Sequence, residues 1–102
     1  MNKEEFLKRM KIITDLVFRV NMETKKAVWL DVSGHVSWFT IRVCEDKEDT
    51  ADCMKYLAQY VDYSVVCTPE PILSKETIEE KLKLLDIYTI ETIGKLQGLL
   101  NE

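Results

Sequence analysis

Residues 27–43, "AVWLDVSGHVSWFTIRV", alternate in polarity like a β-hairpin and decide the fold. The tetrapeptide SGHV in their middle suits a two-residue type II′ turn, which prefers glycine at its first central position. With Gly34 and His35 as that loop, Trp29 pairs with Thr40 and the register of the whole hairpin follows.

This register places both tryptophans on one face of the hairpin among polar neighbours, namely Trp29, Asp31, Trp38, Thr40 and Arg42. The opposite face is apolar and is expected to lie on the first helix; it consists of Val28, Leu30, Phe39 and Ile41. The tryptophan face needs a cover, and three covers remain open: the last helix, a second copy of the chain, or a partner protein.

The first 20 residues predict an amphipathic helix. Its core-facing stripe advances by alternate steps of four and three residues, widened by Ile12 and Leu16: Phe6, Met10, Ile13, Val17 and Val20. The formal charge of −4 hides an asymmetry, because residues 1–26 hold seven basic and four acidic side chains. An acidic chain makes nucleic-acid binding a weak expectation, although the basic first helix keeps a nucleic-acid-binding regulator as an alternative.

An acidic run follows the hairpin and consists of Glu45, Asp46, Glu48, Asp49 and Asp52. Asp49 or Thr50 is expected to cap a second helix, whose positive N-terminal dipole would favour these acids. A divalent-cation site is the sharper alternative, but the glycine of a calcium-binding loop is missing. The run could also imitate nucleic-acid phosphates toward a basic partner such as a nuclease.

The predicted second helix, up to residue 63, carries two stripes. One is apolar and faces the core: Met54, Leu57, Ala58 and Val61. The other consists of Tyr56, Tyr60 and Tyr63, which either bury their rings beside the core or form a partner-binding surface. The β-branched run at residues 64–68 could add a short third strand.

A long last helix is predicted to begin at the cap Ser74. Its core stripe runs through Ile78, Leu82, Leu85, Thr89, Ile93, Leu96 and Leu100. Leu84, Ile87 and Ile90 fall on other sides, so this helix is either unusually buried or shared with a second copy in a homodimer.

Enzyme chemistry finds little support in the residues. His35 is the only histidine; Asp31 lies four residues before it, but no oxyanion donors are implied. Cys44, Cys53 and Cys67 with His35 would make a Cys₃His zinc set, yet their even, wide spacing is unlike a structural zinc site. No catalytic residue, cofactor or metal is therefore expected.

The three cysteines are odd in number and lack C-x-x-C spacing, which predicts reduced thiols in the cytoplasm. No apolar run reaches the length of a membrane span, about 18 residues. The charged N-terminus also differs from a signal peptide. We therefore expect a cytoplasmic protein without a membrane partner.

The hairpin resembles a pattern in small uncharacterised proteins of phages and integrated elements of Gram-positive bacteria. In that pattern, a hydrophobic strand leads through Ser33, Gly34, His35 and Val36 into a second hydrophobic strand. Many of those proteins continue with an aromatic-glycine element, where this chain has the charged residues 45–49. The resemblance implies a mobile-element setting and supplies no catalytic residues.

Together these features predict one α+β domain over residues 1–102: an N-terminal helix, an antiparallel hairpin and two further helices in two layers. The expected function is a non-enzymatic module that binds, and inhibits, a host protein. The expected partner-binding residues are Trp29, His35, Trp38, Arg42, Glu45, Asp46, Glu48, Asp49, Tyr56, Tyr60 and Tyr63. A small enzyme or metal-binding protein is the third alternative.

Overall fold

The computed structural model describes residues 1–49, 55–68 and 71–102. Its elements, in chain order, are α1 (Lys3–Glu23), β1 (Ala27–Ser33), β2 (Trp38–Cys44), β3 (Lys55–Asp62), a 3-10 turn (Ser64–Val66) and α2 (Lys75–Leu100). The α+β class is confirmed, with two helices in the described residues where three were predicted. Neither of these helices has a stretch apolar and long enough to cross a membrane.

Helix α1 begins at Asn2, whose side chain accepts a hydrogen bond of 2.9 Å from the Glu5 amide. Its core face follows the predicted stripe, with Phe6, Ile13, Leu16, Val17 and Val20 buried. Leu16 widens the stripe as expected, but Ile12 is exposed. The helix ends at Thr24, and the Lys47 ammonium donates to the Asn21 and Thr24 carbonyl oxygens, both at 2.8 Å.

The hairpin forms, but its predicted turn is wrong. Ser33 pairs with Trp38, so the loop contains four residues, 34–37, and the partners are shifted by two positions. Ser37, with φ of 54°, supplies the left-handed residue, and Gly34 has no positive φ. Because side chains alternate with a period of two, a shift of two positions leaves every residue on its predicted face.

The loop geometry gives a testable pair of substitutions. A left-handed conformation costs a non-glycine residue about 1–2 kcal/mol, partly offset by the backbone entropy that glycine loses on folding. Ser37→Gly is therefore expected to raise the free energy of unfolding by up to about 1 kcal/mol. Ser37→Val is expected to lower it by about 1–2 kcal/mol, since β-branched residues tolerate this region poorly. Urea denaturation measures both, and equal effects would contradict the loop conformation.

Residues 55–62 form a strand, β3, where a helix was predicted. β3 pairs antiparallel with β2 and completes a sheet of order β1-β2-β3. The pairing shifts register twice, and Tyr60 in the bulged region has φ of 50°. The irregularity leaves Ala58 and Val61 buried three residues apart, and this helix-like spacing is why the sequence pattern predicts a helix here. The predicted helix start, residues 50–54, lies outside the described residues.

The short third strand predicted at residues 64–68 is also wrong, because a 3-10 turn begins at Ser64. Asp62 closes this turn: its carboxylate accepts from the Ser64 amide at 2.8 Å and from the Lys81 ammonium at 3.0 Å. Burial raises the pKa of Asp62, but the hydrogen bonds from Ser64 and Lys81 outweigh it, so the pKa lies below its ordinary value of 3.8.

This pKa predicts a specific acid dependence. A lowered folded-state pKa stabilises the fold above the ordinary value of 3.8, and that stability is lost as the pH falls further through the folded-state pKa. Asp62→Asn should therefore be less stable than the wild type at neutral pH, by under about 1 kcal/mol because solvent screens the exposed part of the pair. The difference should shrink below pH 4, as measured by thermal unfolding; a constant difference would contradict this assignment.

Helix α2 begins after its predicted cap, Ser74, whose hydroxyl accepts from the Thr77 amide at 3.2 Å. It buries Leu85, Thr89, Thr92, Leu96 and Leu99, close to the predicted stripe. The guanidinium of Arg9 ties α1 to α2, donating to the Asp86 carboxylate, to the Asp86 carbonyl and to the Thr89 hydroxyl.

The core lies between the two helices and one face of the sheet. Buried side chains of α1 and α2 share one cluster with those of the sheet, namely Val28, Phe39, Ile41, Val43, Ala58 and Val61. Helix α1 packs against β1 and helix α2 against β3. The last helix therefore does not cover the tryptophan face, which removes the first of the three expected covers.

Cysteine chemistry differs from the expectation of three reduced thiols. Cys44 is buried and disulfide-bonded, whereas Cys67 is a free thiol. Sequence spacing could not reveal this, because a disulfide depends on which cysteines the fold brings within bonding distance.

Candidate functional site on the open face of the sheet

The face of the sheet opposite the helices carries four aromatic side chains and a charged pair. We call it the aromatic face; it consists of Trp29, Asp31, Trp38, Thr40, Arg42, Tyr56 and Tyr60. Strand alternation brings these residues together. Arg42 lies opposite both Trp29 and Tyr56, Thr40 lies opposite Asp31, and the ring of Tyr60 contacts Trp38.

Arg42 occupies the centre of the aromatic face. Its guanidinium lies 5.6 Å from the centre of the Trp29 ring and 3.0 Å from the Asp31 carboxylate. Trp29, Arg42 and Tyr56 form one row across the three strands. The cation is therefore held by an aromatic ring and a carboxylate at once, which fixes its position on the surface.

Trp38 and Tyr60 form a second aromatic group. Their ring centres are 4.9 Å apart and their planes are inclined by 51°. The bulge in β3 positions Tyr60, whose amide donates to the Thr40 hydroxyl at 3.1 Å. Trp38 is 36% exposed and Tyr60 is 55% exposed. These rings thus offer a large apolar area to solvent.

Between the two groups lies a shallow concavity of about 300 Å³, lined by residues of the aromatic face together with Val32 and Ser33. Trp, Tyr and Arg are the residues most enriched at protein–protein interfaces and among their energetically dominant contacts. The arrangement can bury a partner's apolar side chain against the rings, while the Arg42 guanidinium donates hydrogen bonds to polar groups of the partner and the Asp31 carboxylate accepts them.

The predicted tyrosine stripe is divided by the fold. Tyr56 and Tyr60 join the aromatic face, but Tyr63 stacks on Phe6 at 5.4 Å with the planes inclined by 18° and packs against the core. The hypothesis of one tyrosine surface is therefore wrong, because the residues lie on a bulged strand and its continuation, where a period of 3.6 does not apply. His35 lies exposed in the hairpin loop, outside the residues that line the concavity.

The acidic residues Glu45, Asp46, Glu48 and Asp49 are exposed in the segment after β2. Ala27 pairs with Cys44, so this segment starts at the end of the sheet nearest the Trp29–Arg42 row. The Asp46 carboxylate accepts from the Glu48 amide at 3.0 Å. Lys47 interrupts the run and points back to the end of α1, which reduces the local negative charge.

The basic character of residues 1–26 is partly neutralised. Arg9, Arg19 and Lys26 form ion pairs with Asp86, Glu23 and Glu102. For Lys26, the hydrogen bond to Glu102 raises the pKa above its ordinary value. The cationic surface expected for a nucleic-acid regulator is therefore smaller than the sequence count indicates.

In residues 1–49, 55–68 and 71–102, no three His, Cys, Asp or Glu side chains lie close enough together to bind a metal ion. A disulfide sulfur such as that of Cys44 is also unavailable as a thiolate ligand.

Two features of the structure were not predicted from the sequence. Leu7, Phe18 and Met22 of α1 are exposed apolar residues, although their spacing of 11 and 4 is a helical repeat that could have been noticed. The contact of Asn21 with the backbone of Val28 has no sequence signal, since it depends on how α1 packs on β1.

Comparison of the chain with known protein families, with curated proteins and with solved structures gave no match.

Proposed function

We propose that this protein is a non-enzymatic interaction module that binds a partner protein through the aromatic face. One observation carries the proposal: Trp38, Tyr56 and Tyr60 lie exposed around the central Arg42 on a sheet face that neither described helix covers. Large rings left in water at such a face are a cost to the free protein that a partner would remove.

The kind of partner follows from charge. The acidic segment at residues 45–49 adjoins the aromatic face, and the whole chain has a formal charge of −4. We therefore propose a partner with a basic surface, such as a nuclease, that the module blocks in the manner of a phage- or mobile-element-encoded inhibitor. Charge complementarity would speed the encounter, and the rings would supply most of the affinity.

Affinity capture from cells that encode the chain tests this proposal. Two variants separate the two surfaces: Trp38→Ala with Tyr60→Ala removes the aromatic pair, and Glu45→Gln with Glu48→Gln removes two charges. The aromatic variant should lose the captured protein. The charge variant should retain it with weaker, less salt-dependent binding. Capture that the aromatic variant leaves unchanged would contradict the proposal.

A nucleic-acid-binding regulator is the second candidate. Aromatic rings beside an arginine on an open sheet can stack unpaired bases, and α1 keeps basic side chains at Lys8 and Lys11. A gel shift with duplex and single-stranded oligonucleotides at two salt concentrations tests it. Salt-sensitive binding would favour this candidate, and no shift at high protein concentration would remove it.

We also propose a cytoplasmic location and keep a homodimer through α2 as a proposal. Leu84, Ile87 and Ile90 of α2 are exposed, which supports a dimer, although steps of three residues wind them around the helix rather than along one stripe. Light scattering should give either 11.9 kDa or twice that mass. The Cys44 disulfide counts against a cytoplasmic location, because disulfides are more common in oxidising compartments. Thiol titration of protein from the source cells tests the location: a reduced Cys44 would support the cytoplasm, and an oxidised Cys44 would contradict it.

A further inference from the structure

The two edges of the sheet differ in how well they are protected. The β3 edge is irregular, with two register shifts, and the Lys95 ammonium of α2 donates to the Leu57 carbonyl oxygen at 3.3 Å. Bulges and lysines are the usual devices that stop an edge strand from pairing further. The β1 edge keeps a constant register over its seven residues, without proline or lysine.

Asn21 of α1 covers one end of the β1 edge. Its side-chain oxygen accepts from the Val28 amide at 2.7 Å, and its side-chain nitrogen donates to the Val28 carbonyl oxygen at 2.9 Å. Both backbone groups of Val28 therefore point away from β2. In a regular antiparallel ladder this direction alternates, so the backbone groups of Leu30 and Val32 point outward too.

These four outward groups have no hydrogen-bond partner in the part of the chain that the structure describes. Leu30 is only half-buried and Val32 is 59% exposed, so an added strand can reach both residues.

A flank of α1 overlooks the same edge. Leu7, Thr14 and Phe18 lie on the side of the helix that carries Asn21, at spacings of 7, 4 and 3 residues. They line a shallow groove together with Met10, Lys11 and Asp15. From Val28 onward, β1 runs antiparallel to α1. Two residues of a strand span about the same distance along the axis as four or five residues of a helix. Phe18, which is 61% exposed, is therefore roughly level with Leu30.

We propose that the β1 edge accepts an extended segment of a partner protein as a fourth strand. Residues of the segment opposite Leu30 and Val32 project toward the α1 flank and are apolar. The residue between them projects beside Asp31, whose side chain is 59% exposed while its carboxylate pairs with Arg42, and is basic. Charge complementarity thus selects an apolar–basic–apolar segment.

A second copy of the chain fits this edge poorly. Symmetric pairing about Leu30 would require the Val28 groups that Asn21 already holds. Symmetric pairing about Asp31 would place two carboxylates directly opposite each other, which is destabilising. The segment therefore belongs to another protein, and of the aromatic face it meets only Asp31.

Fluorescence anisotropy with a labelled peptide, Thr-Val-Lys-Val-Thr, tests this inference. N-methylation removes an N–H donor, and alternate residues of an added strand donate to the edge. In an antiparallel added strand the two valines donate to the edge, so N-methylation of the valines should abolish binding. In a parallel added strand the lysine donates to the edge, so N-methylation of the lysine should abolish binding. The other modification should change the affinity less than threefold, and replacing the lysine by glutamate should weaken binding at least tenfold.

Val32→Pro is the matched variant of the protein. The Val32 amide points away from β2, so proline removes no hydrogen bond of the sheet but blocks the edge. Peptide affinity should fall at least tenfold with an unchanged circular-dichroism spectrum, while Trp38→Ala with Tyr60→Ala keeps peptide binding. If Val32→Pro fails to fold, amide exchange in the wild type decides, since the Leu30 and Val32 amides should become protected when peptide binds. No peptide binding, or binding indifferent to every N-methyl group, would overturn the inference.

Discussion

Phe39→Ala is expected to lower the free energy of unfolding by about 3–5 kcal/mol. Phe39 is fully buried on the central strand and shares one cluster with α1, α2 and β3. Removing its ring leaves a cavity bounded by all of these elements, and a strand held on both sides by hydrogen bonds cannot move inward to fill it.

Val32→Ala is the matched control. Val32 lies opposite Phe39 in the register and on the same face of the sheet, but it is at the exposed end of an edge strand. Its truncation should cost under about 1 kcal/mol. Urea denaturation of the three proteins measures both effects, and similar losses for the two variants would contradict the two-layer core.

Trp29→Ala with Trp38→Ala is expected to weaken partner binding at least about 30-fold, the equivalent of one dominant interface contact of 2 kcal/mol. The double variant removes one ring from each aromatic group, together with the surface on which Arg42 rests. A partner can bury one continuous apolar surface only when both aromatic groups, Trp29 with Arg42 and Trp38 with Tyr60, are present.

The same double variant should keep its fold. Both tryptophans lie on the face that neither α1 nor α2 covers, outside the core cluster, so each truncation should cost about 1 kcal/mol. For a domain of this size the thermal midpoint should then fall by about 10 °C or less, well short of the effect of Phe39→Ala. A collapse of stability would show that the tryptophans are core residues.

The sequence predicted those elements whose periodicity is regular. α1 and α2 show uninterrupted helical stripes, Ser74 caps α2 as predicted, and the hairpin alternates through both strands. The faces of the hairpin were also predictable, because they depend only on the parity of the register. The register itself was not, since a left-handed Ser37 in a longer loop competes with the glycine turn.

The third strand could not be predicted because its bulge breaks the alternation. Two register shifts put Ala58 and Val61 on the core face at a spacing of three, and that spacing is what a helix would show. Two of the four aromatic rings of the candidate site depend on this strand. Tyr56 and Tyr60 were named for the wrong reason, as one helical stripe with Tyr63, and the sheet unites them with the tryptophans instead.

The sequence also could not predict which edge of the sheet has open backbone hydrogen-bonding groups. In β1, alternate residues direct their backbone N–H and C=O groups toward β2 or away from it. The hydrogen bonds between Asn21 and Val28 show that Val28, Leu30 and Val32 belong to the set that points away. Which backbone groups of β1 are paired and which are open therefore depends on how α1 packs on β1, and the sequence carries no signal for it.

Equilibrium binding of the captured partner to the wild type and to the Trp29→Ala, Trp38→Ala variant tests the central claim most directly. Isothermal titration of both proteins, each shown to be folded by its circular-dichroism spectrum, gives the two dissociation constants. The open aromatic face predicts that the variant binds at least about 30-fold more weakly. Equal affinities in two folded proteins would contradict it.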